Sequence, residues 1–409
     1  MIVPDPTLPA SDTPAPKRLS PNVAALGFVS LLTAVSSAMI YGLLPVFLVR
    51  VLGVSMASVG LIEGLAESAN SLVKLVSGAA SDRIGRRKPL VIFGYTLSAL
   101  IKTLFPQAEA VSTVLVARVI DRLGKGIRDA PRDAFLADIV TPEIRGAGFG
   151  LRLALAVAGF VFGPLIAVSL MRLSGDDFRL VFWIALIPAY LSIIVLIVAV
   201  KEVPFNHEPG EQRSPIPRRA LAALPSSFWW AIVMASLLAL ARFSPAFLVL
   251  KAHETGVDVA FVPMILGLMY LVYSVTAYPF GVLADHVDRR LQLGIGIVVL
   301  IGADAVLANA DTIWLAAFGA ALWGLQLGAT QGVLGAIIAD AAPGRLRGTA
   351  FGVYDVAVGI ATFVASAGAG ALWMAGGPAM AFGIGACVAA AAALALLFRP
   401  FPNASDATF

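Results

Sequence analysis

Apolar residues fill this chain in long stretches, each ended by a short cluster of Pro, Gly or charged residues. The stretches lack the strict alternation of a half-buried strand, and they are too long for buried helices of a soluble core. About 20 apolar residues is the length that carries a helix across a bilayer. The pattern predicts twelve such helices, over 23–49, 57–81, 89–106, 110–138, 148–171, 178–200, 226–250, 259–284, 291–309, 312–340, 350–373 and 378–398. Several exceed what a bilayer needs, which predicts tilt or extension beyond it. The longest polar break, 201–225, reads as a cytoplasmic linker between two six-helix bundles, 23–200 and 226–398. Residues 1–22 and 399–409 remain as cytoplasmic tails, the first rich in Pro and Ser and expected to be disordered. The expected fold is all-α and polytopic.

Composition agrees. Hydrophobic residues make up 59% of the chain and charged residues 13%, against roughly 25% charged in soluble domains. A chain of 409 residues has no aqueous core large enough to hide that surface, so the lipid bilayer is the expected partner. The net charge of +4 sits in loops, with no basic domain outside the spans, which argues against nucleic-acid binding. With both termini cytoplasmic, 17 Lys and Arg residues fall on the inner side and 3, Arg50, Arg172 and Lys251, on the outer. A plasma membrane, the bacterial inner membrane, is the expected location, and a monomer the expected state. The single cysteine, Cys387, excludes an internal disulfide and reads as a small core thiol.

The two halves repeat each other. Gly78-Ala-Ala-Ser-Asp82-Arg83 returns as Gly281-Val-Leu-Ala-Asp285-His286, an offset of 203. Asp138 with Arg145-Gly-Ala-Gly-Phe149-Gly150 returns as Asp340 with Arg347-Gly-Thr-Ala-Phe351-Gly352, an offset of 202. Pro45-Val-Phe47-Leu48-Val49 returns as Pro245-Ala-Phe247-Leu248-Val249, an offset of 200. Six helices per half make the repeats parallel, and transporters commonly bind substrate at such an interface near the midplane.

On these residues the chain resembles the major facilitator superfamily. Its second-to-third loop, Gly78-Ala-Ala-Ser-Asp82-Arg83-Ile-Gly85-Arg86-Arg87-Lys88, matches the family's loop signature at each key position. The second copy keeps Asp285, Arg289 and Arg290 without the inner Arg-x-Gly. Gly159-Phe-Val-Phe-Gly163-Pro164 in the fifth span is similar to an element common among antiporters, without its later glycines. The resemblance covers 23–398 and implies twelve helices moving by alternating access. It also implies a gate in which Asp82 faces the positive N-terminus of the eleventh helix, near Phe351. The plainer alternative is that these residues only set orientation.

Charges inside spans usually mark a path or relay. The fourth span carries Arg118, Asp121, Arg122, Lys125, Arg128, Asp129, Arg132 and Asp133. At 3.6 residues per turn all eight fall within an arc of about 140°, with a net charge of +2, five basic against three acidic residues. Either they form a structural ion-pair ladder, or Arg118, Asp121, Arg122 and Lys125 line a cavity. The second span answers with Glu63, Glu67, Asn70 and Lys74 on one narrow stripe. Glu67, then Glu63, are candidate proton carriers; a permanent bridge to the fourth span is the alternative. In the second half Arg242, Asp304, Gln326, Gln331 and Asp355 are the polar candidates, and Tyr41, Tyr270, Tyr273, Tyr278 and Trp323 the aromatic ones.

No phosphate-binding loop of the G-x-x-x-x-G-K-[ST] type occurs, so ATP drive is not expected. His207, His253 and His286 are scattered among loops, with no metal cluster, cofactor site or enzymatic constellation implied. The expected function is secondary transport of a small organic solute, first by proton antiport in the efflux direction, with proton symport in the uptake direction as the runner-up; the basic fourth span suits an anion in either direction. A non-transporting receptor or sensor is the reading from another class.

Overall fold

The computed structural model describes residues 20–84, 87–140, 145–202, 224–341 and 347–398. Within them the backbone is helical: α1 (Pro21–Arg50), α2 (Met56–Ile84), α3 (Arg87–Lys102), α4 (Val111–Ile139), α5 (Arg145–Ser174), α6 (Phe178–Ala199), α7 (Ser226–Ala241), α8 (Ala246–Glu254), α9 (Met264–His286), α10 (Arg289–Ala308), α11 (Ile313–Ala341) and α12 (Arg347–Phe398). A 3-10 turn (Val259–Phe261) precedes α9. No strand occurs among the described residues.

With α7 and α8 taken together and α12 divided, these helices make twelve segments, and eight stretches among the described residues are long and apolar enough to cross a membrane. Helix α12 has 52 residues, about 80 Å at 1.5 Å each, more than twice a bilayer core. It divides at Gly376 and Gly377, where φ and ψ leave the helical region and Gly377 takes φ 73°. That is the Gly-Gly-Pro378 break between the last two predicted spans. Helices α7 and α8 together make one span of 29 residues, Ser226–Glu254. Large apolar side chains face outward all round, among them Leu173, Trp314, Val198 and Ile187, as a lipid-facing surface requires.

Three predicted details differ. The seventh span is not one helix over 226–250: it breaks at Arg242–Pro245. Pro245 lacks the N–H that would close the turn onto Ala241. The N–H of Ser244 bonds the Ser366 hydroxyl, and the Ser244 hydroxyl accepts from the N–H of Ala246, so side chains take the place of the helix's own bonds. Helix α3 ends at Lys102 rather than 106, in turns that lead into Pro106. Cys387 is exposed on α12 and is no core thiol.

The face carrying Pro21, Lys201, Arg290 and Leu397 is the near face; Asn22 bonds the backbone of Lys201 there, and Arg290 the carbonyl of Leu397. The principal contacts between halves are α2 on α12, α5 on α9, and α1 on α8. The α1–α8 contact belongs to the far face. There one apolar cluster crosses the halves through Leu43, Phe47, Phe182, Phe247, Leu250 and Val262. Arg172 bridges Asp258 at 3.0 Å, and Trp373 donates to Glu254 at 2.9 Å.

Candidate functional site

Helix α4 is too charged to pass for a spanning helix by apolarity alone, yet its charged face is enclosed. Gly124 admits the backbone of α3 and Gly126 that of α2, where an added Cβ would stand 2.8 Å from the Ser98 hydroxyl and 2.7 Å from the Asn70 carbonyl. These approaches bring α4 against both neighbours and place its side chains among theirs.

Arg118 donates twice to Glu63, at 2.8 and 2.7 Å, with both side chains almost fully buried. Its guanidinium lies 3.9 Å from the centre of the Tyr41 ring, and that of Arg122 lies 4.9 Å away. The Tyr41 hydroxyl donates to the Asp121 carboxylate. Arg122 meets Glu67 at 2.6 Å through one oxygen, and the Glu67 side chain is 28% exposed against 5% for Glu63. The two glutamates therefore differ. Glu63 is clamped by a fork and also accepts from the Ser244 hydroxyl across the halves at 3.2 Å; Glu67 is held at one point and faces accessible space. Lys125 has no hydrogen bond or ion pair to a described residue, and the buried Asn70 amide oxygen has no partner.

Lys102 was missed in the sequence. It is 1% exposed and donates to Ser36 and Ser37 of α1 at 3.1 and 2.9 Å. Its signal in the sequence is a lone lysine inside an apolar span, near that span's end. Ser244 was also missed, since a serine beside a proline carries no charge signature.

Toward the near face the rest of α4 is a ladder. Arg128 lies 4.4 Å over the Tyr95 ring and donates to Ser98. Arg132 pairs with Asp129 and Asp133 at 3.0 Å each, and Arg152 reaches Asp133 at 3.8 Å.

The second half is sparse. Arg242, at the break after α7, donates to Gln326 at 3.2 Å, and Gln326 donates on to Thr330. No described carboxylate pairs with Arg242. Tyr270 stacks on Phe160 of α5 with ring centres 4.5 Å apart, a contact between halves. Asp304 accepts from Trp323 at 2.8 Å, and Tyr278 is exposed on the outer surface.

Of the loop signature, Gly78 packs on Ala130, and Arg87 bridges Asp138 of α4 at 2.8 Å beside a hollow of about 250 Å³. Gly85 and Arg86 lie outside the described residues, as do the side chains of Asp82, Arg83 and Asp285. Around them, Leu75 of α2 packs against Gly352 at the start of α12, and Lys74 bridges Asp355 of α12 at 3.0 Å. In the fifth-span element, Gly159 and Gly163 face α1, where an added Cβ would meet Ala34 and Ala38 at 2.6 Å each. Pro164 turns to Gly267 of α9 in the other half.

A family model described as Major Facilitator Superfamily matches residues 26–250 and 229–408. An uncharacterized MFS-type transporter of Methanocaldococcus jannaschii is 31% identical over 392 residues, covering 93% of this chain and 96% of its own. The multidrug resistance protein MdtH of Photorhabdus laumondii is 30% identical over 156 residues, 38% of each chain. In fold, the chain is similar to a bacterial homolog of the human lysosomal transporter Spinster, solved inward-facing and unoccupied, with TM-score 0.71, 16% identity and coverage of 94% and 96%.

Proposed function

The chain belongs to the Major Facilitator Superfamily, and on that premise we propose that it carries a small organic anion together with a proton, by alternating access, across a bacterial inner membrane. The observation that carries this reading is the single-point bridge between Glu67 and Arg122, open to accessible space on the carboxylate side. A proton on Glu67 removes the negative partner of Arg122 and leaves the guanidinium free for a carboxylate or phosphate ester. Proton and anion then favour each other's binding, which is the linkage of a symporter. Lys125 and Arg242, one in each half, add cations that have no ion-pair partner among the described residues.

At the far face α1 seals on α8, while toward the near face the described contacts between halves include Lys74 on Asp355 and Leu75 on Gly352. Alternation that opens the far face would break Arg172–Asp258 and part the Phe47–Phe247 cluster.

Antiport in the efflux direction is the second reading. It is favoured by the fit of Gly159 and Gly163 against α1 with Pro164 on Gly267, and by the relation to a multidrug resistance protein. The two differ in sign. Symport requires that anion affinity rise as pH falls; antiport requires competition between proton and solute.

The test is calorimetry on purified protein with small carboxylates, phosphate esters and their neutral and cationic analogues, in buffers of differing ionisation enthalpy. The expected result is proton uptake on anion binding, abolished in Glu67→Gln, whose solute exchange in liposomes survives while pH-driven flux is lost. If cations bind best, or if anion binding releases protons, the symport reading is wrong. If Glu67→Gln keeps normal coupling, the role passes to Glu63.

A further inference from the structure

Asp304 of α10 is fully buried. One oxygen accepts from the Trp323 indole at 2.8 Å, and the other, Oδ2, has no hydrogen-bond partner. Among the described residues, the elements packed against it offer no charge paired with an ionised carboxylate. Helix α11 presents Trp323, α12 presents Gly385, and the break after α7 presents Ala241 and Phe243. Arg242 of the same break is turned to Gln326. An isolated carboxylate in such a place is far costlier than the neutral acid.

The neutral acid needs an acceptor for its proton, and the break supplies one. The Ala241 carbonyl would be bonded by the N–H of residue 245, but that residue is Pro245, and no backbone hydrogen bond reaches it from the break. The Ala241 oxygen and Asp304 Oδ2 each lie 3.0 Å from the point where a methyl on Gly385 would stand. An unsatisfied acceptor and an unpartnered acid oxygen thus share one small recess, kept open by a glycine.

We propose that Asp304 is a proton-binding site of the second half, and that its proton fastens the break between α7 and α8 by bonding the Ala241 carbonyl. Loss of the proton breaks the Oδ2–H bond, sends the proton to water and leaves a carboxylate facing a carbonyl. The two repel, and the break loosens. The break carries Arg242 and also Ser244, which reaches Glu63 in the other half, so protonation here acts on the position of both. The site stands apart from Glu67 and does not depend on which solute is carried.

Infrared spectroscopy of the full chain in lipid nanodiscs tests the proton. Wild type is expected to show a protonated carboxyl stretch that is absent in Asp304→Asn. Pro245→Ala, which returns an N–H to compete for the Ala241 carbonyl, is expected to move that band toward the frequency of an unbonded acid. Hydrogen exchange tests the fastening. Over 238–248, Asp304→Ala should exchange roughly tenfold faster, the equivalent of one neutral hydrogen bond. Asp304→Asn, which keeps a donor, should match wild type. The proposal is overturned if the Asp304→Asn spectrum equals that of wild type, if the band is that of an ionised carboxylate that shifts with sodium, or if the Ala and Asn variants exchange alike. Should Asp304→Ala fail to fold, the Asn and Pro245→Ala spectra decide alone.

Discussion

The same segment occurs twice, and the two copies fold differently. In the first half α1 runs unbroken from Pro21 to Arg50 through Pro45. In the second half the helix stops at Ala241 and restarts at Ala246, with Pro245 in the gap. Either proline removes one helical bond, so proline alone does not decide the outcome. The preceding residues do. Tyr41-Gly42-Leu43-Leu44 offers no competing side-chain bonds to its own backbone, whereas Ala241-Arg242-Phe243-Ser244 includes a serine that takes over two backbone bonds with help from Ser366. The buried charges divide the same way. Those facing the unbroken copy are mostly locked in pairs: Glu63 with Arg118, Glu67 with Arg122, Asp121 with Tyr41. Those beside the broken copy, Arg242 and Asp304, have no ionic partner among the described residues.

The strongest way to break this contrast is at Glu63. Glu63→Ala leaves Arg118 buried without its fork and should cost about 3–5 kcal/mol, read as a fall in the unfolding midpoint in detergent. Adding Arg118→Leu should recover much of that loss. A single variant within about 1 kcal/mol of wild type would show that the pair is no structural clamp, since breaking a buried pair normally costs several times more.

At Arg242 the prediction is the reverse. Arg242→Ala should leave stability within about 1 kcal/mol, yet cost about 1.5–3 kcal/mol in anion binding, roughly ten- to hundredfold. Calorimetry with the best-binding carboxylate and an unfolding curve on one preparation separate the two. A variant that unfolds early but binds normally would place Arg242 with the structural pairs.

Next in size, Gly163→Leu should strain the α1–α5 contact by about 1–3 kcal/mol, visible as a lower unfolding midpoint. An unchanged midpoint would mean that the close approach at Ala38 is not needed.

The smallest effect belongs to the half-exposed bridge between halves. Lys74→Ala should change stability by about 0–1 kcal/mol, and the change should shrink in high salt. A larger, salt-independent loss would make the α2–α12 seam a lock rather than a contact.

Much of this was legible in residue order. Twelve spans, two halves and the family follow from hydropathy and repeat offsets, because a membrane segment must satisfy its backbone within itself and carry apolar side chains along its length. Even the Gly376-Gly377 division between the last two spans shows in the chain, since consecutive glycines followed by proline end a helix locally. The stripe of charge on α4 and the facing stripe on α2 are likewise local, set by 3.6 residues per turn.

Which charge meets which was not legible. Glu63 and Glu67 lie four residues apart on one face, and no local rule makes one a clamped partner of Arg118 and the other an accessible partner of Arg122. That depends on how deep each sits between α1, α2 and α4. Lys102 looked like a helix end because only the packing of α3 on α1 brings Ser36 and Ser37 to it. The break at Arg242–Pro245 needed Ser366, more than a hundred residues away. The sequence by itself determined where helices cross the membrane, since that is settled by solvent and by neighbours in the chain. The tertiary structure alone decided which polar groups are paired, lone or exposed, because each needs a partner that a different helix brings.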